Sequence, residues 1–198
     1  ITGAKRVLRM EGGGLKEQDA AMTAIPYASW NNRGLSPMTV WLGRAAADVR
    51  PAPAPTAGSK AKIAVSFARG GMDKGRINDQ QVPRNATDGF ASSFDFWPHK
   101  GGKEWIAMES GKPLLVNGVT VSWFDDTGVA ECRLPKSWKL FYQDASGAWQ
   151  AAGGSPDYAI RKTEPVKVKI EPVTTKALRI ELELADDFSA GLYEWEVD

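Results

Sequence analysis

ALRIELEL, residues 177–184, alternates without a break. Leu178, Ile180, Leu182 and Leu184 fall on one side, and Arg179, Glu181 and Glu183 on the other. A period of two with one charged side marks a strand in an antiparallel sheet covered on one face. PVKVKIE, residues 165–171, repeats the pattern, with Val166, Val168 and Ile170 set against Lys167 and Lys169. Outward from these lie further β-prone runs: KIAVSF (62–67), EWIAME (104–109), LLVNGVTVSWF (114–124), SWKLFYQ (137–143), YAIR (158–161) and YEWEV (193–197). DTG, DASG and AGGSPD supply turns between them. No long stretch carries a helical period. The pattern predicts an all-β fold: an antiparallel β-sandwich of jelly-roll type, with the leucine face of ALRIELEL in its core.

Composition narrows the functional classes. The 198 residues are 42% hydrophobic and 25% charged, enough for a packed core, and the net charge of +1 gives no footing for nucleic-acid phosphates or an anionic membrane. The basic run RKTEPVKVK (161–169) falls on the outer face of an alternating strand and reads as solvated surface. No apolar run reaches the length of a membrane span. Cys132 is the only cysteine and His99 the only histidine, so internal disulfides and the usual His/Cys zinc cages are excluded. The opening, ITGAKRVLRM, has no leader-like pattern and reads as the interior of something longer, so the chain is expected to be a fragment or a processed product.

DVRPAPAPTAGSK (48–60) reads as a stiff Pro/Ala linker whose end is loosened by Gly58 and Ser59. It divides a leading piece, 1–47, from the sandwich, 61–198. The leading piece is too short to bury a core of its own. Its runs AMTAIPYASW (21–30) and MTVWLGR (38–44), joined by NNRGLSP, predict a short β-ribbon that either ends a preceding domain or leans on the sandwich. GGGLKE (12–17) and ARGGMDKGR (68–76) lack P-loop spacing and read as loops.

The stretch with the most chemistry is FDFWPHKGGKEW (94–105), four aromatic rings with His99, Lys100, a proline and two glycines. Sugar sites use an aromatic face for the ring and a few hydrogen-bonding groups for the hydroxyls, set on loops of a rigid scaffold. Trp97 and His99 supply one such loop. Asp125 and Asp126, at the exit of a strand that buries Val119, Val121 and Trp123, supply a second, and Phe188 a third. The alternative is that Trp97 plugs the end of the sandwich and His99 caps a turn. Catalysis has less support. Asp125-Asp126 and Asp186-Asp187 are sequence neighbours that point apart on a strand end and serve turns, and no G-x-S-x-G elbow accompanies His99. The Asn85-Ala86-Thr87 triplet is a glycosylation sequon of a kind that is common by chance.

INDQQVPRNATD (77–88), FDFWPHKGGKEWIAM (94–108), VTVSWFDDTGVAECRLPKSWKLFYQD (119–144) and LRIELELADDFSAGLYEWEV (178–197) together resemble a discoidin-like (F5/8 type C, galactose-binding-like) module. The resemblance is closest to the version appended to glycoside hydrolases of families 127 and 146, the β-L-arabinofuranosidase group. AMTAIPYASWNNRGLSPMTVWLGR (21–44) resembles the segment closing the β-sandwich that follows the catalytic barrel in those enzymes.

The resemblance implies a non-catalytic carbohydrate-binding accessory module. Its partners would be an arabinose- or galactose-bearing plant glycan and the catalytic domain of a secreted or periplasmic bacterial parent enzyme. The alternative it allows is a structural domain that shapes the cleft of the catalytic barrel. The family's cysteine nucleophile and zinc ligands belong to that barrel, and Cys132 matches none of them, which leaves it as a small half-buried filler. The familiar arginine and asparagine of the middle sugar-binding loop are replaced by Asp125 and Asp126. The resemblance also implies a structural calcium, with Asp79 of RINDQQVP and Glu194 of YEWEV as its side-chain ligands; an Asx-turn is the other reading of Asp79.

Overall fold

A computed structural model of the chain describes residues 6–11, 14–19, 39–40, 53–83, 85–88 and 91–198. Two compact units result, Ile1–Pro53 and Ala54–Asp198. In the first, β1 (Arg6–Glu11), β2 (Gly14–Asp19) and β3 (Thr39–Val40) form an antiparallel sheet in the order β2-β1-β3. The ribbon described in this unit is therefore RVLRME paired with GLKEQD, and GLKE of GGGLKE is strand where its composition predicts a loop. Its register runs from Arg6 opposite Asp19 to Glu11 opposite Gly14. AMTAIPYASW and NNRGLSP lie outside the described residues, as does MTVWLGR apart from Thr39–Val40.

The second unit holds β4 (Lys62–Val65), β5 (Phe94–Asp95), β6 (Lys103–Phe124), β7 (Ser137–Gln143), β8 (Trp149–Ala151), β9 (Val166–Glu183) and β10 (Gly191–Val197). All pair antiparallel, in the order β5-β10-β6-β9-β7-β8 with β4 also on β6. The two runs EWIAME and LLVNGVTVSWF are one strand, and so are PVKVKIE and ALRIELEL.

These two long strands make the sandwich. The first half of β6 pairs with β4 and the end of β9, whereas its second half pairs with β10 and the start of β9. Register shifts between Glu109 and Leu114, and between Val116 and Gly118, carry the strands from one layer to the other. Inward parity reverses across them: Ile106 and Met108 are buried before, Val119, Val121 and Trp123 after. Glycine is needed at the crossing, because a Cβ on Gly118 would lie 2.6 Å from the Val168 carbonyl oxygen.

The core gathers both inner faces: Val166, Val168, Ile170, Leu178, Ile180, Leu182 and Leu184 with Trp138, Leu140, Leu192 and Trp195. YAIR is not a strand. Tyr158 packs edge-on against Trp138 at 4.9 Å, and the Ala159 carbonyl accepts the Trp138 indole N–H at 3.0 Å. The linker's end is also not loose. Gly58 is buried, and the Asn78 amide donates to the carbonyls of Gly58 (2.8 Å) and Ala61 (3.0 Å), fastening it to the sandwich.

Ile180 has no exposed surface and sits at the centre of the β6–β9–β7 layer. Ile180→Ala should cost roughly 2–5 kcal/mol in denaturant unfolding. A loss under about half a kcal/mol would place Ile180 outside the core.

Candidate carbohydrate site

The loops following β5, β6 and β9 are stitched to one another. Gly101 N–H donates to the carbonyls of Ala185 (3.1 Å) and Phe188 (3.3 Å), Ser189 N–H to Glu131 (2.9 Å), and Arg133 N–H to Ser189 (2.9 Å). Gly101 and Gly102 take φ of 63° and 72°, and a Cβ on Gly101 would press on the Asp186 carbonyl oxygen at 2.9 Å. The three loops singled out in the sequence are thus in mutual contact.

FDFWP divides its rings by alternation. Phe94 and Phe96 are fully buried, whereas Trp97 is 41% exposed and is not a plug. The Trp97–Pro98 peptide is cis. The indole is held at its edge: Nε1–H donates to Glu131 at 3.1 Å, and the Trp97 backbone N–H donates to the buried Asp95 at 3.1 Å. Lys100 reaches the other oxygen of Glu131 at 2.6 Å. The Lys100 hydrogen bond, and then that of Trp97, hold the Glu131 carboxyl below its ordinary value. The Arg69 guanidinium lies 5.8 Å from the Trp97 ring centroid and pairs with Asp95 at 3.4 Å. Burial pushes the Asp95 carboxyl up despite that partner.

His99 lies flat against Phe67, ring centroids 3.7 Å apart, and its Nδ1 is 2.6 Å from Oε1 of the buried Glu104. Glu104 also accepts from the Ser66 hydroxyl. With Nδ1–H donating to the carboxylate, a neutral His99 ring keeps Nε2 as an acceptor. Ser66, Phe67, Glu104 and Glu131 were missed in the sequence. The alternation of Glu104 with Ile106 and Met108 marks its inward side chain, but nothing local announces its pairing with a histidine five residues earlier.

The two middle-loop aspartates face inward to their own loop. Asp125 is buried, accepting from Thr127 N–H at 2.8 Å and from Lys162 at 2.9 Å. Asp126 accepts from Cys132 N–H at 2.7 Å and pairs with Arg133 at 3.3 Å. Half-buried Phe188 carries the Arg133 guanidinium 4.3 Å above its ring. Cys132 is buried, and burial, followed by Asp95 and Asp126, pushes its thiol up to about 12.

Asp79 and Glu194 come together away from these loops. Glu194 is 2% exposed, its Oε2 is buried without a hydrogen-bond partner, and burial followed by the Asp79 carboxylate pushes it up to about 9. Asp79 Oδ1 accepts from Gln81 N–H at 2.9 Å, an Asx-turn. Among the described residues no group of three His, Cys, Asp or Glu side chains forms a metal cluster. A hard cation at the Asp79–Glu194 pair would draw its other ligands from backbone oxygens.

Residues 5–43 match the model of the glycoside hydrolase family 127 C-terminal domain. No curated protein matches the chain. Among solved structures, a Streptococcus pneumoniae β-galactosidase BgaA structure aligns over 74% of this chain and 96% of its own, with a TM-score of 0.58 and 16% identity. A Ruminococcus gnavus GH29 fucosidase aligns over 72% of this chain and 26% of its own (TM-score 0.53, 20% identity). The family 32 carbohydrate-binding module of Clostridium perfringens NanJ, in complex with galactose, aligns over 71% of this chain and 95% of its own (TM-score 0.51, 12% identity). At these identities the likeness is one of fold, and it is the galactose-binding-like β-sandwich.

Burial pushes the Asp125 carboxyl up, but hydrogen bonds from Thr127 and Lys162 outweigh it and leave the group below the ordinary aspartate value. A carboxyl lowered in the folded state adds stability that is complete above the unfolded value, about 3.9, and fades as pH falls through the folded one. Asp125→Asn should lower the melting temperature at neutral pH and flatten its fall below about pH 4. Parallel melting curves for the two proteins across that range would remove Asp125 from the acid response.

Proposed function

We propose that the β-sandwich is a non-catalytic carbohydrate-binding module accessory to a glycan-degrading bacterial enzyme, and that Trp97 is its sugar platform. The observation that carries this reading is an indole 41% exposed yet fixed at its edge by Glu131. A ring so held offers a flat apolar surface without paying to order it on binding. Lys100, on the same Glu131 carboxylate, and His99 Nε2, two residues along the loop from Trp97, are its hydrogen-bonding groups, and Phe188 adds a second ring. Asp125 and Asp126, with their carboxylates already engaged, support the loop, so their contribution to binding is the shape of the middle loop. The sandwich shared with the NanJ module, whose structure holds galactose, is consistent with this use of the fold.

In the same reading, residues 1–47 close a preceding β-sandwich, 48–60 link it, and 61–198 are the module; the boundary at Pro53/Ala54 falls inside that linker. The match of residues 5–43 to a family 127 C-terminal domain supports a parent of the β-L-arabinofuranosidase group. With such a parent, the ligand would be an arabinose- or galactose-bearing plant glycan and the site of action secreted or periplasmic. A structural calcium fits Asp79 and Glu194, since the cation would satisfy the orphaned Glu194 oxygen and relieve the contact between two carboxylates. It would supply cross-linking of the 76–83 loop to β10.

Trp97→Ala should abolish retardation of the chain in gels containing arabinan or galactan and leave its melting temperature within a degree or so, as for a surface substitution. Retained retardation with a much lower melting temperature would make Trp97 a packing residue. Calcium should raise the melting temperature and chelator lower it, with Asp79→Ala erasing the difference. Coincident curves in calcium and in chelator would take the ion out of this account.

A further inference from the structure

We propose that the outer face of the layer formed by β6, β9, β7 and β8 carries a second carbohydrate-binding track. It is built from Trp105, Arg179, Phe141 and Trp149, and it fits an uncharged oligosaccharide. The proposal rests on the reading of the module as a glycan binder but uses none of the loop residues assigned to it.

Register places these side chains on one face. Trp105, Glu181 and Lys139 form one cross-strand row, and Ala107, Arg179, Phe141 and Ala151 the next. Trp149 stands opposite Gln143, two residues beyond Phe141 on the same side. The opposite face of these strands holds Ile106, Leu140 and Ile180 of the core. A solvated sheet face is ordinarily polar, yet three large rings stand on this one, each half-buried.

Arg179 ties two of the rings together. Its guanidinium lies 5.7 Å from the Phe141 centroid and 4.6 Å from that of Trp149, and Glu181 pins it as an ion pair. With neighbouring strands about 4.8 Å apart, the line from Trp105 to Trp149 crosses about 14 Å of sheet. That exceeds one sugar ring, so the fitting ligand is a chain.

The flanking groups identify its chemistry. Glu181 faces Arg179, Glu183 stands between Lys103 and Ser137, and Lys139 lies beside Glu181, so opposite charges alternate along the track. A charged polymer would find no uniform field there. Lysine and glutamate are depleted from the dry centres of protein–protein interfaces, whereas here they border the rings. Apolar faces framed by hydrated donors and acceptors suit the C–H faces and hydroxyls of a neutral sugar chain.

The test is titration of the ¹⁵N-labelled full chain with hexasaccharides of arabinan and galactan, and with arabinose and galactose. The indole N–H signals of Trp97, Trp105 and Trp149 would be assigned by substitution to Phe. The hexasaccharide should shift Trp105 and Trp149, and the monosaccharides should not. Phe141→Ala with Trp149→Ala should weaken hexasaccharide binding about tenfold and leave monosaccharide binding unchanged; if that double variant unfolds, the indole shifts decide. A response at Trp97 with Trp105 and Trp149 silent overturns the track and leaves the loop site standing. A response at Trp105 and Trp149 with Trp97 silent supports the track and overturns the loop site. Silence at all three overturns both.

Discussion

The pairing of β6 with β9 is the constraint on which the module depends. The two strands stay in register contact from Lys103–Glu183 to Val121–Val166 while passing from one layer of the sandwich to the other. Because each side chain's face is set by parity, a slip of one residue would turn Ile106 and Met108 outward and bring Ala107 and Glu109 in. The irregular stretch between Glu109 and Gly118 restores the correct parity after the crossing, so that odd-numbered Val119, Val121 and Trp123 meet the even-numbered residues of the other layer. Both layers then share one core without a separate connection.

Loop placement comes from that crossing. Lys103 and Phe124, the two ends of β6, both open into loops that contact the segment after β9, through Gly101 to Phe188 and through Glu131 to Ser189. Segments more than thirty residues apart in sequence are joined in this way by backbone hydrogen bonds. A side chain mounted on them has little freedom left to lose. Trp97 is the clearest case, since its ring has no core to hold it and is fixed by Glu131 at the indole N–H, while Asp95 holds its backbone N–H.

The fold was legible because it is written in a local period. ALRIELEL and PVKVKIE display their buried faces in the residues themselves, and the leucine, isoleucine and valine sides lie in the core as read. What sequence could not show was continuity across the bulges, where residues 110–113 break the period of β6 although the strand goes on. The edge strands β5 and β8 are two and three residues long, too short to carry a period at all. YAIR misled in the opposite direction, its apolar residues serving to pack on Trp138. The loop cluster was legible as to location, from the density of rings and glycines in FDFWPHKGGKEW. The support around it was not: Ser66, Glu104 and Glu131 are ordinary polar residues whose roles arise from contacts over 38, 5 and 34 residues of sequence.

The charges around the loops separate two kinds of site. Arg69 is matched by Asp95, Lys100 by Glu131, Arg133 by Asp126, Lys136 by Asp186 and Lys162 by Asp125. Surface pairs of this kind add little stability individually, but together they leave the rim without a dominant sign. In the proposed reading a ligand approaching Trp97 would meet ring faces and directed hydrogen bonds, and no field that would draw in a polyanion from a distance. The Asp79–Glu194 pair is the reverse. There two carboxylates adjoin, one of them buried, and among the described residues no cation lies within ion-pair distance of either. Compensated charge at the rim fits the neutral sugar proposed for it, while beneath β10 the buried Glu194, pushed up to about 9, holds its proton at neutral pH beside Asp79, and the proposed calcium would have to displace that proton. The two places differ in how a carboxylate's charge is answered, by an opposite charge at the rim and by a retained proton beneath β10.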